Sequence, residues 1–197
     1  DPNDYIAGFP EHPHRGFETV TYMLAGQMRH QDNAGHEGVV GPGDVQWMTA
    51  GKGILHSETP EQVAGLMHGF QLWINLPAKN KLTKPHYAEV PAVQIPMVTT
   101  EEGHQVKVIA GQWHETVGPL QRPDTEPLYL DIQLTGEIPI FVPVPVSHNA
   151  LVYVVSGEPA ISGQRITSRR MAVLENNPQA TGEIGRASCR ERVCLYV

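Results

Sequence analysis

Two short stretches carry residues whose types and spacing could do chemistry together: Phe9 to Leu24 (FPEHPHRGFETVTYML) and Gly51 to Glu58 (GKGILHSE). His12 and His14 are two apart, so on an extended strand both imidazoles project from one face, and the same holds for His56 and Glu58. Two neighbouring strands, each offering such a pair, would bring three imidazoles and one carboxylate to one point. That is a ligand set able to hold a divalent transition metal. Ten histidines give roughly half an H-x-H by chance, so the first pair alone says little. The H-x-E that follows ~40 residues later, past several strand signals and a flexible approach at Ala50, Gly51 and Gly53, raises the reading well above chance.

Four protein ligands leave positions open on an octahedral ion, the mark of a catalytic or ligand-sensing site rather than a structural one. Imidazole suits zinc, copper, iron and nickel, and a carboxylate adds hard character. With both cysteines far downstream, iron(II) is the first choice, and manganese, copper and nickel stay open. Glu18, on the same strand face as His14 by parity, is a candidate to orient a ligand histidine, or else a partner for Arg15 or a backbone donor. Phe17, Trp47 and Met48 are candidates to line an apolar pocket over the metal, although aromatic residues in short strands are more often plain core. His30 and His36 fall in a polar stretch and are expected to be solvated. His68, His86, His104, His114 and His148 are isolated and expected to be structural.

The elements that must position these residues read as strands. Thr19 to Leu24 alternates, with Val20, Tyr22 and Leu24 on one face, and His68 to Leu76 alternates again, with Phe70, Leu72, Ile74 and Leu76 against Gln71, Trp73 and Asn75. Val45 to Met48, Val106 to Ala110, Leu128 to Leu134, Ile138 to Val146, Ala150 to Val155 and Ala172 to Leu174 are further strand-like runs. Met28 to Gly38 is polar and expected as a loop, and residues 77–96, rich in proline and lysine, as a connection over the surface. With 19 glycines, 17 prolines and no helix-length periodicity, the expectation is all-β.

A net charge of −7 argues against direct nucleic-acid binding, which rests on clustered lysine and arginine. No apolar run approaches the length needed to span a bilayer. The last stretch, EIGRASCRERV from Glu183, reads like one frame of a common sequencing-adapter oligonucleotide, so residues 183–197 are expected to be read-through rather than natural protein. Both cysteines, Cys189 and Cys194, lie there; the rest of the chain has none, which fits a reducing compartment and a cytoplasmic location.

HPHRGFETV, GPGDVQWMTAGKGILHSE and QLWINLP together resemble the N-terminal half of the pirin family of the cupin superfamily. The resemblance runs from about Pro10 through Leu174. It implies two tandem jelly-roll barrels, a bicupin, with an iron(II)-type centre in the first barrel only, held by His12, His14, His56 and Glu58. The expected domains are residues 1–122, with the metal, and residues 123–182, a partial barrel without one. A start close to the first ligand and the adapter-like tail imply a fragment in which both barrels are incomplete.

The resemblance implies a quercetin 2,3-dioxygenase-type enzyme acting on a flavonol-like substrate and O2, with Glu58 as catalytic base. The alternative is a non-enzymatic iron-dependent redox sensor that works through a protein partner. A monomer is expected.

Overall fold

Short β-branched and aromatic runs broken by glycine and proline build the chain almost wholly from strands. A computed structural model describes residues 7–61, 64–136, 138–145, 147–175, 183–184 and 191–197. The chain divides into two compact units, Asp1–Gln94 and Ile95–Val197.

The first unit holds β1 (Phe9–His14), β2 (Phe17–Ala25), β3 (Met28–Asp32), β4 (Glu37–Val40), β5 (Val45–Thr49), β6 (Ile54–Pro60), β7 (His68–Asn75) and β8 (His86–Val90). They form two antiparallel four-stranded sheets, in the orders β1-β6-β3-β4 and β7-β2-β5-β8. The expected alternation lies inside β2, but both of its faces are buried: Val20 and Tyr22 on one, Thr19, Thr21 and Met23 on the other. The second of these faces looks across to the other sheet. Thr21 pairs with Gln71 and Gln46, and from those positions Gln71 reaches Glu58 on β6 while Gln46 reaches His30 on β3.

Two expected connections are instead structured. Met28 to Gly38 is the β3–β4 hairpin, its turn closed by the Asp32 carboxylate, which accepts from the backbone N–H of Ala34 and His36. Polar composition conceals this strand because its inward position is a histidine, His30, rather than an apolar residue. Within residues 77–96, β8 pairs along its length with β5, and only short 3-10 turns at Ala78–Asn80 and Ala92–Gln94 flank it.

The second unit holds β9 (Met97–Thr99), β10 (Gln105–Ala110), β11 (Gln112–Trp113), β12 (Thr116–Val117), β13 (Tyr129–Leu134), β14 (Ile140–Phe141), β15 (Ala150–Ser156), β16 (Ala160–Ile161), β17 (Gln164–Arg165), β18 (Met171–Leu174), β19 (Glu183–Ile184) and β20 (Glu191–Tyr196). Its main sheet runs β18-β15-β20-β13-β10-β9. The unit begins at Ile95 rather than after residue 122, because β10 pairs with β13 from Gln105 to Ala110. Among the described residues of the run Ile138 to Val146, only Ile140–Phe141 is strand; prolines at 139, 143 and 145 remove the N–H donors a ladder needs.

Residues 191–196 of the adapter-like tail form β20, paired on one side with β13 and on the other with β15. Val193, Leu195 and Val197 alternate into a core with Leu130, Ile132, Val152 and Val154, and Arg192 binds the buried Asp131 carboxylate. Most of residues 176–190 lies outside the described residues. No helix among the described residues is long and apolar enough to cross a membrane.

Candidate metal centre

The site is built on the pairing of β1 with β6. His12 lies directly opposite His56, and His14 sits two residues further along β1, so all three imidazoles emerge on one face, as their spacing requires. His12 Nε2 is 3.0 Å from His14 Nε2 and 3.1 Å from His56 Nε2. Three nitrogens sharing one face of an octahedron, each about 2.1 Å from the ion, would stand about 3.0 Å apart, whereas tetrahedral ligands would stand about 3.4 Å apart. The two separations from His12 match the octahedral value, and the three donor atoms, all within 4.8 Å of one another, could hold a metal ion.

The protonation states suit that role. His12 Nδ1 is 2.8 Å from the carbonyl of Pro10, which can only accept, so Nδ1 donates there and Nε2 is the nitrogen turned toward His14 and His56. Burial, aided by the neighbouring His12, lowers the His14 pKa. His56, 1% exposed, is pushed down to about 4, mostly by burial and then by His14 and His12. Both rings are thus neutral donors at neutral pH. His14 is wedged edge-on against Phe17 and Trp73, with ring centroids at 5.0 and 5.4 Å.

Glu58 shares the pocket but not the tight donor group. On β6 it lies in register with His30 of β3, and it is 5% exposed. Its carboxylate accepts from the Gln71 amide, at 2.8 Å to Oε1 and 3.0 Å to Oε2. Burial raises its pKa above the usual carboxylate range, and Gln71 and His12 pull it part of the way back. Among the described residues, His12, His14 and His56 form the single group of three close donor atoms, and it lies in the first unit.

A pocket of about 880 Å³ opens over His12 and His14, lined by Phe9, Phe17, Met23, Met28, Phe70 and Trp73 together with Glu58 and Gln71. Phe17 is where the sequence suggests. Trp47 and Met48 are instead core, each with no exposed surface. Their neighbour Gln46 takes the inward position and bonds His30. Glu18 is also turned away from the centre: it lies on the face of β2 opposite Thr21 and accepts from Thr49 Oγ1 at 2.6 Å. The parity argument fails there because the Gly16 turn separates β1 from β2.

His30, expected in solvent, is 2% exposed, and its Nε2 bonds the Glu89 carboxylate at 2.9 Å. A Cβ on Gly38 would come within 2.6 Å of His30 Nε2 and 2.8 Å of Glu89 Oε1, so a larger residue there would have to displace that pair. Gly51, with φ +51°, approaches the backbone of Thr83 rather than the metal centre. His104 is a satisfied core histidine, with Nε2 donating to the Ile138 carbonyl and Nδ1 accepting from the Thr135 N–H. Sequence reasoning passed over Gln71, whose position on the polar face of an alternating strand is the only signal that marks it.

Comparison with known proteins agrees with this architecture. The pirin family profile matches residues 1–74. A Pseudomonas aeruginosa protein provisionally named a quercetin 2,3-dioxygenase is 51% identical over 181 residues, which cover 88% of this chain and 64% of the relative. A Thermoplasma acidophilum protein with the same provisional name is 35% identical over 191 residues, covering 87% of this chain and 72% of the relative. The crystal structure of a quercetin 2,3-dioxygenase from Acinetobacter baumannii superposes with a TM-score of 0.87 at 32% identity, over 96% of this chain and 67% of that one. The chain spans about half to two thirds of the length of several curated relatives. With its all-β cupin fold and this degree of identity, the chain belongs to the pirin family.

Proposed function

We propose that this chain carries the metal centre of a flavonol dioxygenase, which opens a quercetin-type ring with O2 and releases carbon monoxide. The observation that supports it most is the cluster of three imidazoles, two of which open onto an apolar, aromatic pocket that also holds one buried carboxylate. A pocket of about 880 Å³ is of the size that encloses a small aromatic ligand. The names of the relatives point to the same chemistry.

His12, His14 and His56 would hold the ion, with iron(II) the first choice and manganese, copper or nickel the alternatives. When bound, it would act as a Lewis acid on the adjacent 3-hydroxyl and 4-keto oxygens of a flavonol and lower the hydroxyl pKa. Trp73, 66% exposed at the pocket wall and tilted 31° to Phe17, offers a face on which a planar ring can lie. Glu58 accepts the hydroxyl proton, a role its raised pKa favours by bringing it nearer the working pH. Phe9, Phe17 and Phe70 give the pocket apolar walls beside that centre.

The test is anaerobic reconstitution with iron(II), addition of quercetin, then oxygen. Metal-dependent loss of flavonol absorbance with carbon monoxide release is expected. No loss with iron, manganese, copper or nickel would reject the enzyme and leave a metal-dependent sensor acting through protein contacts.

A further inference from the structure

We propose that Lys81 is a positioning residue of the metal centre: its ammonium locks the Gly16 turn that joins β1, which carries His14, to β2, which carries Phe17. This rests on the metal reading of the site given above.

The turn has to keep one shape, because His14 stands two residues before Gly16 and Phe17 directly after it, and their rings meet edge-on at 5.0 Å. Gly16 lies in the left-handed region at φ +78°, and a Cβ added there would meet the Lys81 stem at 3.7 Å. The Gly16 carbonyl accepts from the Leu76 N–H at 3.3 Å, a long bond, and from Lys81 Nζ at 2.9 Å. The same ammonium donates to Asn75 Oδ1 at 2.7 Å, and Asn75 of β7 lies in register with Phe17 of β2. One half-buried cation thus ties the turn to the end of the strand beside it.

The segment that carries Lys81 also holds the turn leading into β6. The Thr83 carbonyl accepts from the Lys52 N–H at 2.9 Å, and Gly51 lies so near it that a Cβ there would clash. The Gly51 carbonyl in turn accepts from the Gly16 N–H at 2.8 Å. From Gly53 the chain enters β6, where Ile54 pairs with His14 and His56 with His12. Residues 81–83 therefore clasp both turns, one through a side chain and the other through the backbone. Ligands on neighbouring strands meet one ion only if those strands keep their place, and Lys81 is the part of the clasp a substitution can remove.

The experiment titrates the whole chain with Co(II) against a competing chelator and records the visible absorption of the bound ion, so its outcome does not depend on flavonol turnover. Amide resonances of the first unit establish that each protein is folded. Lys81→Met keeps an unbranched stem over Gly16 and removes the donors. It should weaken Co(II) binding by about tenfold and change the absorption spectrum of the bound ion. Removing a cation would, by charge alone, tighten the binding of another cation, so the direction of the change separates positioning from electrostatics. Unchanged or tighter binding with an unchanged spectrum in folded Lys81→Met would overturn the proposal and leave Lys81 a prop of the fold. Should Lys81→Met not fold, Asn75→Ala carries the test, since it removes one of the ammonium's two acceptors. It should weaken binding by about threefold, the worth of one modest hydrogen bond, and unchanged affinity would overturn the proposal. An unsubstituted chain that binds no Co(II) would instead overturn the metal reading itself, and this inference with it.

Discussion

Acidifying the metal-free protein should destabilise its first unit through His56. The ring is 1% exposed, and burial together with His14 and His12 pushes its pKa down to about 4. In the unfolded chain it returns to about 6.5. Between these values the unfolded state binds a proton that the folded state refuses, so stability is full above about pH 6.5 and is lost as pH falls toward 4. Each pH unit in this window costs about 1.4 kcal/mol, which gives about 2 kcal/mol by about pH 5 and about 3 kcal/mol by about pH 4. His14 and His30, also held low by burial, act in the same direction. Replacing His56 with Gln removes the largest part while keeping a polar side chain in place. The assay is urea unfolding with chelator present, read from amide resonances of the first unit at about pH 7 and about pH 5. The unsubstituted chain should lose about 2 kcal/mol more than His56→Gln over that interval. Parallel losses in the two proteins would refute the reasoning.

Other outcomes follow from the same contacts. Leu195→Ala, in the fully buried centre of β20, should cost about 2–5 kcal/mol in urea unfolding of the second unit; no change would remove β20 from its sheet. Gly38→Ala should push its methyl into the His30–Glu89 pair and cost about 1–3 kcal/mol, seen also as a shift of the His30 ring resonances. Glu58→Gln should lower flavonol turnover by about 10²–10⁴-fold, and turnover equal to that of the unsubstituted chain would end the base assignment.

The three histidines were legible because a strand has a strict period of two: H-x-H must place both rings on one face, and antiparallel pairing then brings His56 opposite His12. The same rule misled wherever a face was polar for a reason other than solvent. Gln71 and Trp73 alternate with Phe70, Leu72 and Ile74, which reads as a wet face, yet that face looks into the pocket. His30 and Gln46 likewise sit inward as a hydrogen-bonded pair, so β3 carried no apolar stripe to announce it. The direction of the Glu58 carboxylate could not be read at all. It is set by an amide on β7, thirteen residues away in the chain and on the other sheet. Glu18 shows the converse error, since parity carried across a glycine turn predicts the wrong face.

The central claim is that three imidazoles of the first unit hold one metal ion. It is tested most directly by the iron content of the gel-filtered chain after anaerobic reconstitution, beside His14→Ala and His56→Ala. The account predicts about one iron per chain for the unsubstituted protein and, with a ligand gone, a loss of affinity that empties the site in both variants. Equal iron content in all three proteins would contradict it.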